Sequence, residues 1–266
     1  MALPSQSPYS PRLRAGSPLW ILGALLLFSV GACTNPETSG EPPNDATDTD
    51  GDGYTDYEEW HAGTDAYDSN SVIYQGGWPY NPDKEAIANP GWDRWKEKGP
   101  PVLGSTFPRF VGVDQFGEEV EIYDFAGRET PVMIDLATVW CSPCKAIANW
   151  MDDGDEAHVQ DYPWWQPRWS PLPELAEEGA FYWITILYED AGGYDAYGSI
   201  AEEWYEDYPT PWITVLADVN QHMNSWLRNT GIPTGNVLDT QMKLLTQDTR
   251  GIEDSFDQLI TLIGDP

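Results

Sequence analysis

From residue 105 onward the apolar positions cluster in a repeating order. The run at 131–138, PVMIDLAT, is almost continuously apolar. A strand with one wet face would alternate, so this run predicts a strand covered on both faces. The runs at 181–187 (FYWITIL) and 212–217 repeat the signal. Between them, 144–152 sets Ile147 and Met151 on one side of a helix, and 199–208 and 220–229 read as further helices. Short apolar stretches at 109–113 and 120–122 flank the turn DQFG at 114–117. Those at 235–238 and 243–246 flank DTQM, so both pairs read as hairpins. A last helix at 252–263 is apolar at Phe256, Leu259, Ile260 and Ile263. Strands that alternate with helices, closed by a hairpin and a helix, predict an α/β domain over 105–266.

Upstream the periodicity fails. Residues 76–104 hold Trp78, Pro79, Pro82, Trp92 and Trp95, which suggest a connector packed on the domain, with a short helix near 93–98. Residues 33–47 are polar and proline-rich, the composition of a flexible tether. At the start, Arg12 and Arg14 precede the apolar run 19–28, which is too short to span a bilayer and has the layout of a signal peptide over 1–32. The run leads to Val30, Gly31, Ala32 and Cys33, which resemble a bacterial lipobox. That resemblance implies lipidation of Cys33 and membrane attachment through it. The alternative is an ordinary secretory signal cut near Ala32, which leaves Cys33 as an isolated thiol. Thr34 stands where an aspartate commonly retains lipoproteins at the inner membrane, so the expected site is the periplasmic face of the outer membrane.

Composition narrows the partners. The net charge is −31, from 13 basic and 44 acidic residues. Such a chain repels phosphate backbones, which argues against nucleic-acid binding. Part of the acidity is concentrated at 48–59, DTDGDGYTDYEE. Asp48, Asp50, Asp52, Tyr54 through its carbonyl, Asp56 and Glu59 fall at positions 1, 3, 5, 7, 9 and 12 of a calcium loop, with Gly53 at the sharp turn. No amphipathic helix precedes the loop. The segment 48–75 resembles a single thrombospondin type 3 repeat, which implies structural calcium that stiffens the join between tether and domain.

The remaining chemistry lies in WCSPCK at 140–145. Two thiols at this spacing can form a structural bridge, help bind a metal, or cycle between dithiol and disulfide. A zinc site needs four ligands, and His61, His158 and His222 show no metal spacing. A bridge across two residues constrains little. A cysteine at a helix start is activated as a thiolate, so Cys141 is the expected nucleophile and Cys144 the resolving thiol.

The order of strand, WCxxC at a helix start, strand, TGIPT at 230–234, hairpin and helix resembles the thioredoxin fold, and 105–266 resembles the membrane-tethered redoxin, TlpA and ResA-type oxidoreductases. The resemblance implies a central mixed sheet flanked by helices. It also implies a redox-active disulfide with no organic cofactor, and exchange with protein thiols and disulfides of the envelope, together with an unidentified electron donor or acceptor. By position it implies that Asp135 is a buried acid serving Cys144, that Pro233 is cis, and that Trp140 and Ile232 contact substrate. A non-catalytic, calcium-dependent binding lipoprotein on the same scaffold is the alternative. The segment 150–178 is longer than the family's first helix connection. Trp150, Trp164, Trp165 and Trp169 there either wall a peptide groove or pack the insertion onto the core.

Overall fold

The computed structural model describes residues 42–43, 46–87 and 99–264. The expected signal peptide, Cys33, most of the tether and the helix at 93–98 lie outside them. Among the described residues no helix is long and apolar enough to cross a membrane.

The apolar runs become the strands of one mixed sheet. β1 (Val111–Asp114) and β2 (Glu119–Glu121) form the first hairpin. β3 (Val132–Ala137), β4 (Tyr182–Leu187) and β5 (Ile213–Ala217) are the parallel centre, and β6 (Thr234–Leu238) and β7 (Leu244–Gln247) close the other side. The order is β2-β1-β5-β4-β3-β6-β7. β3 and β4, and β4 and β5, run parallel, and β6 is antiparallel to both β3 and β7. The strand ends differ by one or two residues from those expected; at β3, β4 and β5 the apolar run overshoots into the flanking loop.

Period-two alternation sends neighbouring side chains of β3 to opposite cores. Met133 and Ala137 join Trp183, Ile213 and Val215 on one face. Val132, Ile134 and Leu136 join Ile184, Ile186 and Leu216 on the other. Both faces are therefore dry, as a nearly unbroken apolar run requires. The first face is covered by α3 (Ser142–Asp153), α4 (Leu172–Glu177), α5 (Ile200–Asp207) and α7 (Glu253–Ile263). The second is covered by a 3-10 turn at Ile122–Phe125, by α6 (His222–Leu227) and by Trp78, Phe107 and Phe110. This is the expected thioredoxin-type α/β architecture, with the β1–β2 hairpin added beyond β5.

The insertion packs inward. Trp150 and Trp169 are fully buried, with Trp165 edge-on to both at 4.8 and 6.0 Å and Trp169 against Phe256 at 5.2 Å. The Trp169 indole donates to Asp257 of α7 at 2.8 Å. Of the two roles open to these tryptophans, the packing role is the one found. Burying a ring such as Trp150 or Trp169 contributes roughly 2–3 kcal/mol.

Residues ahead of the sheet include two helices that sequence periodicity did not mark: α1 (Asp56–Ala62) and α2 (Lys84–Ile87). α1 begins at a capping box, with Thr55 and Glu58 each satisfying the other's backbone N–H, and ends on Gly63 in the left-handed region.

Candidate functional sites

The chain leaves β3 at Ala137 and reaches the first cysteine after three residues. Cys141 is the N-cap of α3, with extended backbone, and its Sγ accepts from the Cys144 N–H at 3.2 Å. Pro143 sits in the first helical turn, where a missing N–H leaves no ladder bond unmade. The Cys144 N–H and the positive end of the α3 dipole point at the Cys141 sulfur, an arrangement that stabilises a thiolate. Cys141 and Cys144 form a disulfide with Cα atoms 5.3 Å apart, and both are buried, at 3% and 1% exposure. Trp140, half exposed beside them, donates its indole N–H to Glu189 at 3.0 Å. Glu189 follows β4 and carries no sequence signal of its role.

The Ile232–Pro233 bond is cis. Leu136 of β3 pairs with Thr234 of β6, so one step further along the two strands lie Ala137 and Pro233. The proline therefore stands at the strand end from which the chain departs toward Cys141. Its loop is held by Thr230 N–H to Thr249 O at 2.7 Å and Gly251 N–H to Pro233 O at 2.9 Å. Ile232 is half-buried against both cores.

Asp135 lies on the α3 face of β3, 3% exposed, with Oδ1 lacking a partner. Burial pushes its carboxyl up to about 7. It shares a small cavity with Ile147, Met151, Thr185 and Thr210 under α3. Its cross-strand neighbours are Thr185 and Gly235, and the Thr185 hydroxyl already accepts from the Trp183 indole. Gly235 is required by space: a Cβ there would come within 2.5 Å of the Ser255 Cβ and 2.9 Å of the Met133 Cε. A buried carboxyl poised near neutrality, under the helix that carries the cysteines, can accept and return a proton.

The acidic loop forms a second centre. Gly53 takes φ 103°, and the backbone folds the carboxylates inward. Asp48 accepts from Gly51 and Gly53 N–H, Asp50 from Asp52, and Asp52 from Tyr54. One oxygen each of Asp48, Asp50 and Asp52 lies within 4.8 Å of the others. Asp50 Oδ2, Asp52 Oδ2 and Glu59 Oε2 are buried and unpartnered. Glu59 is fully buried; burial, with the neighbouring Asp52, Asp50 and Asp56 charges, raises it to about 7. Asp56 is turned aside, both its oxygens accepting from Thr49. Tyr54 stands at the loop position expected to offer a backbone carbonyl, and its side chain is buried. Orphaned, crowded carboxylate oxygens fit a hard divalent cation, which takes six to eight such ligands.

No family model matches the chain, and no curated protein matches it. Several solved structures resemble it. A lipoprotein thioredoxin of Streptococcus pneumoniae is 20% identical, with 58% of this chain and 97% of that chain covered, at TM-score 0.41. A thiol:disulfide interchange protein DsbE from Chlorobium tepidum, so described provisionally, is 20% identical over 62% of this chain and 99% of that chain, at TM-score 0.44. The thioredoxin domain of a Bacteroides vulgatus thiol-disulfide oxidoreductase is 17% identical over 61% and 99%, at TM-score 0.41.

Proposed function

We propose that this chain is an exported thiol-disulfide oxidoreductase that exchanges disulfides with envelope proteins. The observation that carries this is the Cys141–Cys144 pair at the start of α3, with Asp135 buried under the same helix and cis-Pro233, just ahead of β6, beside the end of β3. In the reducing direction the Cys141 thiolate attacks a substrate sulfur. The substrate S–S bond breaks, a mixed disulfide forms, and one substrate thiolate leaves. Asp135 takes the Cys144 proton, and the Cys144 thiolate attacks the Cys141 sulfur. The second substrate thiolate leaves and the intramolecular disulfide is restored. A dithiol donor then reduces the pair again; the oxidising direction runs the same steps in reverse. Trp140 and the backbone of Ile232 contact the substrate.

The test is insulin-disulfide reduction with a dithiol donor, together with partner trapping by Cys144→Ser. Reduction lost in Cys141→Ser, with mixed disulfides accumulating in Cys144→Ser, supports the function. Activity unchanged in Cys141→Ser would sink it, and absence of trapped partners would favour a non-catalytic binding protein. A measured reduction potential sets the direction.

Two proposals complete this function. Lipidation of Cys33 holds the chain at the membrane, checked by labelled fatty acid incorporation that Cys33→Ser removes. The loop 48–59 holds calcium through Asp48, Asp50, Asp52, the Tyr54 carbonyl and Glu59, with Asp56, held by Thr49, at the ninth loop position where a water commonly bridges to the ion, checked by calorimetric titration.

A further inference from the structure

The cation loop is expected to stiffen a tether. Its contacts run instead into the redox domain. Tyr54, which lies in the chain between the loop carboxylates and α1, is only 5% exposed. Its hydroxyl donates to the Trp78 carbonyl at 2.7 Å. Trp78, 4% exposed, donates its indole N–H to Asp114 Oδ2 at 2.7 Å. Asp114 is the last residue of β1. Its other oxygen accepts from Phe116 N–H at 2.9 Å and Glu118 N–H at 2.8 Å, which closes the hairpin turn. β1 in turn pairs with β5 in the centre of the sheet. A second connection starts in α1, where Glu58 accepts from Arg128 at 2.6 Å; the same guanidinium donates to the Tyr80 carbonyl at 2.9 Å. A flexible lead segment needs none of these buried contacts.

We propose that the 48–59 loop and the α/β domain unfold as one cooperative unit, so that a divalent cation bound by the loop stabilises the redox domain, with Tyr54 and Trp78 as the coupling residues. This rests on the loop being a cation site. That point is supported by the fully buried Glu59, whose Oε2 has no partner, beside the Asp48, Asp50 and Asp52 trio. A ligand that binds only the folded state raises stability by mass action, whatever its distance from the probe.

The experiment uses the full chain with calcium or with a chelator. Thermal unfolding is followed by near-ultraviolet circular dichroism, to which the core tryptophans Trp150, Trp169 and Trp183 contribute. Calorimetric titration reports calcium binding independently. The expected result is a single transition whose midpoint rises by roughly 5–10 °C with calcium at about a hundredfold excess over its dissociation constant. Asp50→Asn should remove most of that rise. Tyr54→Phe keeps the ring and the backbone carbonyl; it should still bind calcium but show a smaller rise. Calcium binding without movement of the tryptophan signal, or two separate transitions with only the first responsive to calcium, overturns the coupling alone. Absence of binding overturns the cation site and the coupling with it. Neither result touches the oxidoreductase function, which insulin reduction decides.

Discussion

The disulfide site and the acidic loop pose opposite electrostatic problems with the same side chain. Asp135 is one carboxyl placed alone in an apolar layer, and burial raises it to about 7. In the loop, Asp48, Asp50 and Asp52 converge within 4.8 Å and Glu59 is buried beside them. A lone buried carboxyl can take a proton and become neutral. A converging set gains more from a shared cation, because each oxygen then has a partner. Isolation suits a carboxyl to the proposed proton transfer; convergence suits the loop to the proposed cation.

The largest effect expected is at the redox centre. Cys141→Ser should abolish insulin reduction, and with it any role for Asp135 in turnover. Next comes Asp135→Asn, expected to slow turnover roughly a hundredfold at neutral pH, the scale of a lost general acid-base, and to remove a rate inflection near pH 7. The same variant tests the sign of the burial effect. The folded carboxyl keeps its proton up to about pH 7, while the unfolded one loses it near 4. Stability should therefore fall as pH rises through that window and level off above it. In Asp135→Asn this slope should become shallower, with Glu59 still contributing in the same window, and the variant should be more stable than the parent at pH 8 by roughly a few kcal/mol. Denaturant melts across pH check both; a parent curve that is flat from pH 4 to 7 would remove the contrast with the loop.

Gly235→Ala probes the floor beside Asp135. Its methyl group meets Ser255 and Met133, so a loss of about 1–3 kcal/mol is expected by chemical denaturation. The smallest effect belongs to the loop. Thr64 donates to Glu59 Oε1 at 3.1 Å. Thr64→Val should cost about 1 kcal/mol in chelator, and less with calcium, which gives Glu59 another partner. An equal loss in both conditions would argue against cation ligation by Glu59.

Much of this was legible locally. The runs at 131–138, 181–187 and 212–217 are strands because a chain buried on both faces has almost no polar positions to hide the signal. WCSPCK places its chemistry within a few residues, so Cys141 capping α3 could be expected, while the cis bond before Pro233 is expected only through the resemblance of TGIPT to the thioredoxin loop. α3 begins at Ser142, two residues before the apolar periodicity starts, because capping by Cys141 and a tolerated Pro143 replace apolar spacing there. α4 was not foreseen, since Pro171 and Pro173 obscure a helix that starts beside them. Contacts between distant segments left no trace. Trp140 and Glu189 meet across 49 positions, and Trp78 and Asp114 across 36. Nothing in either segment alone marks such partners.

The sheet's outer strand has one further consequence. β2 runs through Glu119, Val120 and Glu121 at the edge of the sheet, and Glu119 faces solvent while Arg109 holds Glu121. A second copy adding its own β2 there would bring like charges together along the new ladder. Among the described strands, an edge that carries Glu119 and Glu121 is a poor template for a second copy of itself.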